Sequence, residues 1–343
     1  MNTHHLWGVG LLAGLLAGSA TADSNFTILQ RWKVAGAGSW DYLTLDTAGK
    51  RLFISRSTRV DAVSTESGMA IGTIPNTLGV HGIALAEDLK RGYTSNGKAD
   101  SVTVFDSDSL KIIKEAKIPG HNPDAILYEP IGKHVFTFNG RSKDVTVLDA
   151  SSLAVVATIA VPDKPEFAVD DGAGQIFVNI ESDPGQMVVI DSSALKIKAT
   201  WPLAGCASPS GLAIDKVNHR LFSVCDGKIM AITDAVTGKA VARIPIGEGP
   251  DAAAYDPTRK LVFSSNGEGT LSVIRQESAD RYQVASTVKT QRGARTMALD
   301  AASGKIYLVT SEFGPPPAAT AEQPHPRPAP TPDTFTVLVV GTR

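Results

Sequence analysis

The chain is poor in cysteine and aromatic residues and carries almost no net charge, and each shortage excludes a class of chemistry. Its 343 residues include two cysteines, Cys206 and Cys225, with no other Cys or His at ligand spacing from either, which argues against a structural zinc site. A haem-attachment Cys-x-x-Cys-His, a Walker loop and a Gly-x-Ser-x-Gly elbow are all missing. The glycines around Gly247–Gly249 precede a strand-like segment, so they do not mark a dinucleotide site. Against 33 Lys and Arg stand 35 Asp and Glu, a formal charge of −2. That balance lacks the clustered basic surface that phosphate backbones require, and 6% aromatic content leaves few platforms for stacking bases. Nucleic acid is therefore a disfavoured partner.

Long apolar runs are also missing, with one exception near the start. Leu6–Ala17 is followed by the small residues Ala20-Thr21-Ala22, the pattern of a secretory signal peptide over 1–22 with cleavage before Asp23. Twelve residues are too few to cross a bilayer, so no membrane span is expected. The expectation is a periplasmic or secreted protein with a single domain over 23–343. Export permits a disulfide, and the repeat described next brings Cys206 and Cys225 to one rim of one blade. A bridge between them is the first reading; two unpaired, partly buried thiols are the alternative.

What the sequence has in abundance is repetition. WDYLTLD (40–46), HGIALA (81–86), PDAILYE (123–129), PEFAVDD (165–171), PSGLAID (209–215), PDAAAYD (250–256) and ARTMALD (294–300) each open on a polar residue and run into a short strand. Those polar residues are Asp41, His81, Asp124, Glu166, Ser210, Asp251 and Arg295, spaced by 40, 43, 42, 44, 41 and 44 positions. A period near 42 with strand content predicts an all-β, seven-bladed β-propeller, one four-stranded blade per repeat. Further strands follow in constant order, such as GKHVFTF, DVTVLD and AVVATIAV, separated by Asp, Ser and Gly turns. No stretch holds helical periodicity over three turns.

The last repeat stops one strand short, after TFTVLVV (334–340), while NFTILQRWKV (25–34) precedes the first repeat. The N-terminal strand is therefore expected to pair with the C-terminal blade and close the ring, removing two exposed sheet edges. An insertion, 314–332, holds eight prolines in nineteen residues and leaves blade seven on the rim of the seven polar residues. Proline at that density favours extended polyproline geometry. The insertion is either a lid or a surface loop without a role.

GHNPDAILYEPIGKHVFTFNG (120–140) and GEGPDAAAYDPTRKLVFSSNG (247–267) carry a family likeness. Their cadence resembles the YVTN-type repeats of the YncE-like family of exported bacterial propellers, and the likeness runs over 25–343. The resemblance implies a seven-bladed propeller outside the cytoplasm and supplies no catalytic constellation.

Candidate chemistry sits where inner strands begin, beside the central channel. Four carboxylates there, Asp41, Asp124, Glu166 and Asp251, face two potential cations, His81 and Arg295, with Ser210 completing the ring. Ends of the second strands are expected at the same face: Arg56, Asn96, Asn139, Arg141, Asn179, Glu181, Asp226, Asn266 and Glu312. Trp40 and His121 lie just before inner strands, while His134, His219 and His325 read as surface residues. Channels are wet, so such residues also serve simply to solvate the channel or to cap turns. Crowded carboxylates nevertheless repel unless a cation offsets them. Asp124, Glu166, Asp251 and His81 form the candidate metal set, for Ca²⁺ or Mg²⁺ through oxygen ligands, or Mn²⁺ or Zn²⁺ if His81 joins. Two functions follow: a binding protein that holds a small-molecule ligand, metal ion or protein partner at the acidic channel mouth, or a metal-dependent, lactonase-like hydrolase or lyase with the ion in that mouth.

Overall fold

The computed structural model describes residues 25–318 and 328–343; the leader segment 1–22 lies outside the described residues, as does the middle of the proline insertion. Within them the chain forms seven four-stranded antiparallel sheets arranged as a propeller. Blade one runs through Leu43–Asp46, Arg51–Arg56, Arg59–Ser64 and Ala70–Ile74, and the next five repeat that order. Blade seven takes Met297–Asp300, Lys305–Thr310 and Thr336–Thr342 from the C-terminus and Phe26–Lys33 from the N-terminus.

The closing pair is in register from Phe26↔Thr342 to Lys33↔Thr336, with one bulge between Ile28 and Gln30. Ring closure is thus as the repeat count predicts. A neutral alternation explains the rest: the second and third strands of each blade are buried almost throughout, as in Phe136–Phe138 and Val145–Leu148, whereas fourth strands such as Ile112–Lys117 face water. Among the described residues the one helical element is the single turn Glu87–Leu89, and no helix there is long and apolar enough to cross a membrane.

Turns between first and second strands are fixed by aspartate in blades one and four to seven and by Glu129 in blade three. Asp256 Oδ1 accepts the Thr258 and Arg259 amides at 3.0 and 2.9 Å, and Asp215 Oδ1 accepts those of Val217 and Asn218, both at 3.1 Å. This is the Asx geometry that makes the repeat visible in sequence.

One buried position, two residues beyond the first full cross-strand pair, varies from blade to blade and sets local rigidity. It holds Arg56, Asn96, Asn139, Ile180, Cys225, Asn266 and Thr310 in blades one to seven. Each asparagine there is fully buried and satisfied within its own blade. Asn96, for example, accepts from Thr94 Oγ1 at 2.9 Å and donates to Ser101 and Thr103. In blade five Cys225 takes that place and is disulfide-bonded to Cys206, across a Cα–Cα distance of 5.2 Å. A covalent bond there does the tethering that hydrogen bonds do elsewhere.

Candidate functional site

The inner strands explain why particular polar residues reach the axis. In blades two to six the pairing between first and second strands skips residues at the strand start, between Val80 and Ile83, Pro123 and Ile126, Pro165 and Ala168, Pro209 and Leu212, and Pro250 and Ala252. Such a bulge releases the skipped residues from the ladder and re-aims them. His81, Asp124, Glu166, Ser210 and Asp251 all fall in these gaps. Neighbouring blades then pin their main chain: Ser95 Oγ donates to the Asp124 carbonyl, Asn179 Nδ2 to the Ser210 carbonyl at 2.8 Å, and Ser265 Oγ to the Arg295 carbonyl.

Asp124, Glu166, Ser210 and Asp251, with Asp41, line a chamber of about 450 Å³ on the axis, while His81 contacts Asp41 and Asp124 without joining that lining. Its charged groups are six carboxylates, Asp41, Asp124, Glu166, Glu181, Asp226 and Asp251, and two fixed cations, Lys164 and Arg295. Below them the channel is obstructed by Tyr42 and Phe167. These rings come from blades one and four, across the ring from one another, and their centroids are 5.5 Å apart. The opening is therefore a closed-ended cup rather than a through-pore.

Three pairings divide the charge. His81 Nδ1 lies 2.6 Å from Asp41 Oδ2 and 3.7 Å from Asp124 Oδ1. Lys164 Nζ bonds Glu181 and lies 2.7 Å from Glu166 Oε2, an approach that pairs charge but misses hydrogen-bond geometry. Glu166 Oε2 is accordingly buried without a hydrogen-bond partner among the described residues. Arg295 Nη1 reaches Asp251 Oδ1 at 3.3 Å.

Burial dominates the protonation of this cup. It pushes the Asp124 carboxyl up to about 6, with His81 opposing and Asp41 reinforcing. Burial and then the charge of Asp124 push Glu166 up to about 8. Asp251 is raised by burial to about 6 even though Arg295 opposes. For His81, burial alone would lower the pKa. The hydrogen bond to Asp41 and the charges of Asp124, Asp41 and Glu166 outweigh it, and the net direction is upward. The site holds more negative charge than its own cations neutralise.

Asp41, His81 and Asp124 each offer a ligand atom within 4.8 Å of the others. Of the metal set expected from sequence, His81 and Asp124 come together, with Asp41 as the third group beside them, while Glu166 and Asp251 lie against Lys164 and Arg295. Corrections concern the second-strand ends. Asn96, Asn139 and Asn266 point into their own blades, Asn179 is buried against the backbone of blade five, and none lines the chamber. Arg56 is buried at 1% exposure, bonded to the Gly36 carbonyl and laid over Phe335. Glu312 is exposed at the base of the proline insertion, outside the chamber lining. Burial within the blades turns the asparagines and Arg56 away from the axis, whereas Glu181 and Asp226, at the ends of the second strands of blades four and five, do line the chamber as expected.

Lys164, Tyr42 and Phe167 were missed, and a signal existed for the last two. The second position of the repeat reads Tyr42, Gly82, Ala125, Phe167, Gly211, Ala252 and Thr296. Two aromatics among small residues mark where the channel is filled. Lys164 precedes the repeat and has no counterpart in register.

No family model matches this chain, and no curated protein matches it either. Solved structures do. A chain of Kuenenia stuttgartiensis hydrazine synthase superposes with a TM-score of 0.70 at 17% identity, covering 87% of this chain and 97% of that one. The WD40 repeats of RRP9 give 0.75 at 10% identity over 93% and 97%, and U3-55K gives 0.74 at 10% over 91% and 98%. At such identities the likeness is one of fold alone, and it agrees with the sheet count: the chain is a seven-bladed β-propeller.

Proposed function

We propose that this is an exported binding protein, of the YncE-like kind its repeats resemble, that receives a cation in the axial cup. One observation carries the reading: six carboxylates face two fixed cations in an enclosed chamber, and three ligand-bearing groups cluster within 4.8 Å. A cation entering there offsets the unfavourable burial of the ionised Asp124 carboxylate, which otherwise raises its pKa to about 6. One imidazole and two carboxylates form a mixed set that suits Mn²⁺ or Zn²⁺ better than Ca²⁺ or Mg²⁺. Asp41, His81 and Asp124 would hold the ion, with the proton now on His81 Nδ1 released. The Cys206–Cys225 disulfide supports export, since such bonds persist in oxidising compartments.

A second reading, metal-assisted hydrolysis or elimination, is favoured by Glu166. A buried carboxyl that burial and Asp124 push up to about 8, with Lys164 opposing, suits a general acid. Metal analysis and thermal unfolding with and without chelator test the first reading. The parent should bind about one ion and melt higher with it, and Asp41→Asn, His81→Ala and Asp124→Asn should each lose that response. An ion-free parent whose melting ignores Mn²⁺, Zn²⁺, Ca²⁺ and Mg²⁺ overturns the metal assignment. Lactone turnover abolished by Glu166→Gln, with metal content unchanged, would favour the second.

A further inference from the structure

Beside the acidic cup lies a second cavity of about 470 Å³ with the opposite character. Its walls include Trp40, Phe313, Pro328 and Pro330; among the described residues its charged groups are Arg292 and Arg295, with no carboxylate. The floor is bare backbone. Gly267 N–H donates to the Gly249 carbonyl at 2.7 Å, and Gly293 N–H donates to the Gly267 carbonyl at 2.8 Å. A Cβ on Gly267 would meet only the Gly249 carbonyl, at 3.2 Å, and would otherwise project into free space. A Cβ on Gly293 would strike the Phe313 ring at 2.7 Å. Glycine at these places keeps a flat surface next to an aromatic wall.

That wall is braced from behind. Trp40 packs on Phe335 with centroids 5.2 Å apart and on Phe313 at 6.1 Å. Phe335 in turn is covered by the buried Arg56 guanidinium, 3.7 Å from its centroid. Trp40 is therefore a held surface, and a rigid aromatic face beside a flat floor accepts a planar group at little entropic cost. Arg292 is exposed, and Arg295, 43% exposed, spends one nitrogen on Asp251 and keeps further donors free of that pair.

We propose that this cavity binds an aromatic carboxylate. The ring lies between the glycine floor and the Trp40–Phe313 wall, and the carboxylate is met by Arg292 and Arg295. Among the described lining residues the charge is that of two guanidiniums, one of them already paired with Asp251, and Arg292 offers its donors to an anion. The six carboxylates of the adjoining cup repel that anion, so its head turns toward Arg292 rather than into the axis. The two sites thus accept ligands of opposite charge across a shared boundary formed by Gly249 and Arg295.

Titration calorimetry on the whole protein tests this with phenylacetate, uncharged benzyl alcohol and ring-free acetate. Phenylacetate should bind, benzyl alcohol about tenfold more weakly, and acetate without measurable heat, since a charge-assisted bond to a guanidinium is worth about that factor. Arg292→Gln should cost about tenfold in phenylacetate affinity and leave benzyl alcohol unchanged. Gly267→Val should abolish binding by filling the floor. Because Arg292 is exposed, its variant keeps the test decisive even if Gly267→Val fails to fold. No binding of phenylacetate, equal affinity for phenylacetate and benzyl alcohol, or an unchanged affinity in Arg292→Gln would each overturn the assignment.

Discussion

Replacing Asp124 by Asn should stabilise the metal-free protein at pH 8 and leave it unaltered at pH 4. Asp124 is nearly buried, with its side chain 12% exposed, and its backbone carbonyl bond from Ser95 survives the substitution. Its carboxyl ionises at 3.8 in the unfolded chain and at about 6 in the folded one. Between those values the folded state keeps a proton the unfolded state has lost, so stability falls as pH rises and the loss is complete above about 6. The difference between those two values corresponds to about 3 kcal/mol. Asparagine stays neutral at every pH and escapes that penalty. Glu166 reinforces the trend between its unfolded value and about 8. His81 adds to it, since a raised imidazole pKa gives stability below its unfolded value that disappears as pH rises through the folded one. Urea unfolding of parent and variant in chelator, at pH 4 and pH 8, measures the difference. A variant no more stable than the parent at pH 8, or equally shifted at both pH values, would refute the reasoning. With a metal bound, the sign reverses, because the ion stabilises the ionised carboxylate and the variant loses a ligand.

Two further outcomes test the frame around the site. Cys206→Ser should lower stability by about 3 kcal/mol on the chain-entropy account for a loop of 19 residues, and unchanged urea midpoints would contradict it. Removing the strand Phe26–Lys33 should abolish cooperative unfolding, because it strips a full ladder from Thr336–Thr342 and bares that edge; calorimetry showing a parent-like single transition would exclude this closure.

Much of this protein was written in its sequence because propeller repeats obey local rules. The carboxylate that caps most turns and the β-branched second and third strands act over a few residues and recur with a spacing near 42, so the blade count and the closing strand followed without coordinates. The polar residue opening each repeat was equally legible, because it keeps one place in the repeat, where a bulge aims it in blades two to six. What only the tertiary structure decided is which of those residues meet. The ring brings Asp41 and Asp124 to His81 and sets Arg295 against Asp251 through packing between blades that are 40 or more residues apart in sequence, while Lys164 meets Glu166 and Glu181 within blade four. Asn96, Asn139 and Asn266 looked like channel residues, but their direction depends on the pleat of a twisted sheet, and it turns them inward. Tyr42 and Phe167 show the same limit. Sequence marks them as too large for their positions, while only closure of the ring brings two opposite blades close enough for the rings to meet and turn a channel into a cup.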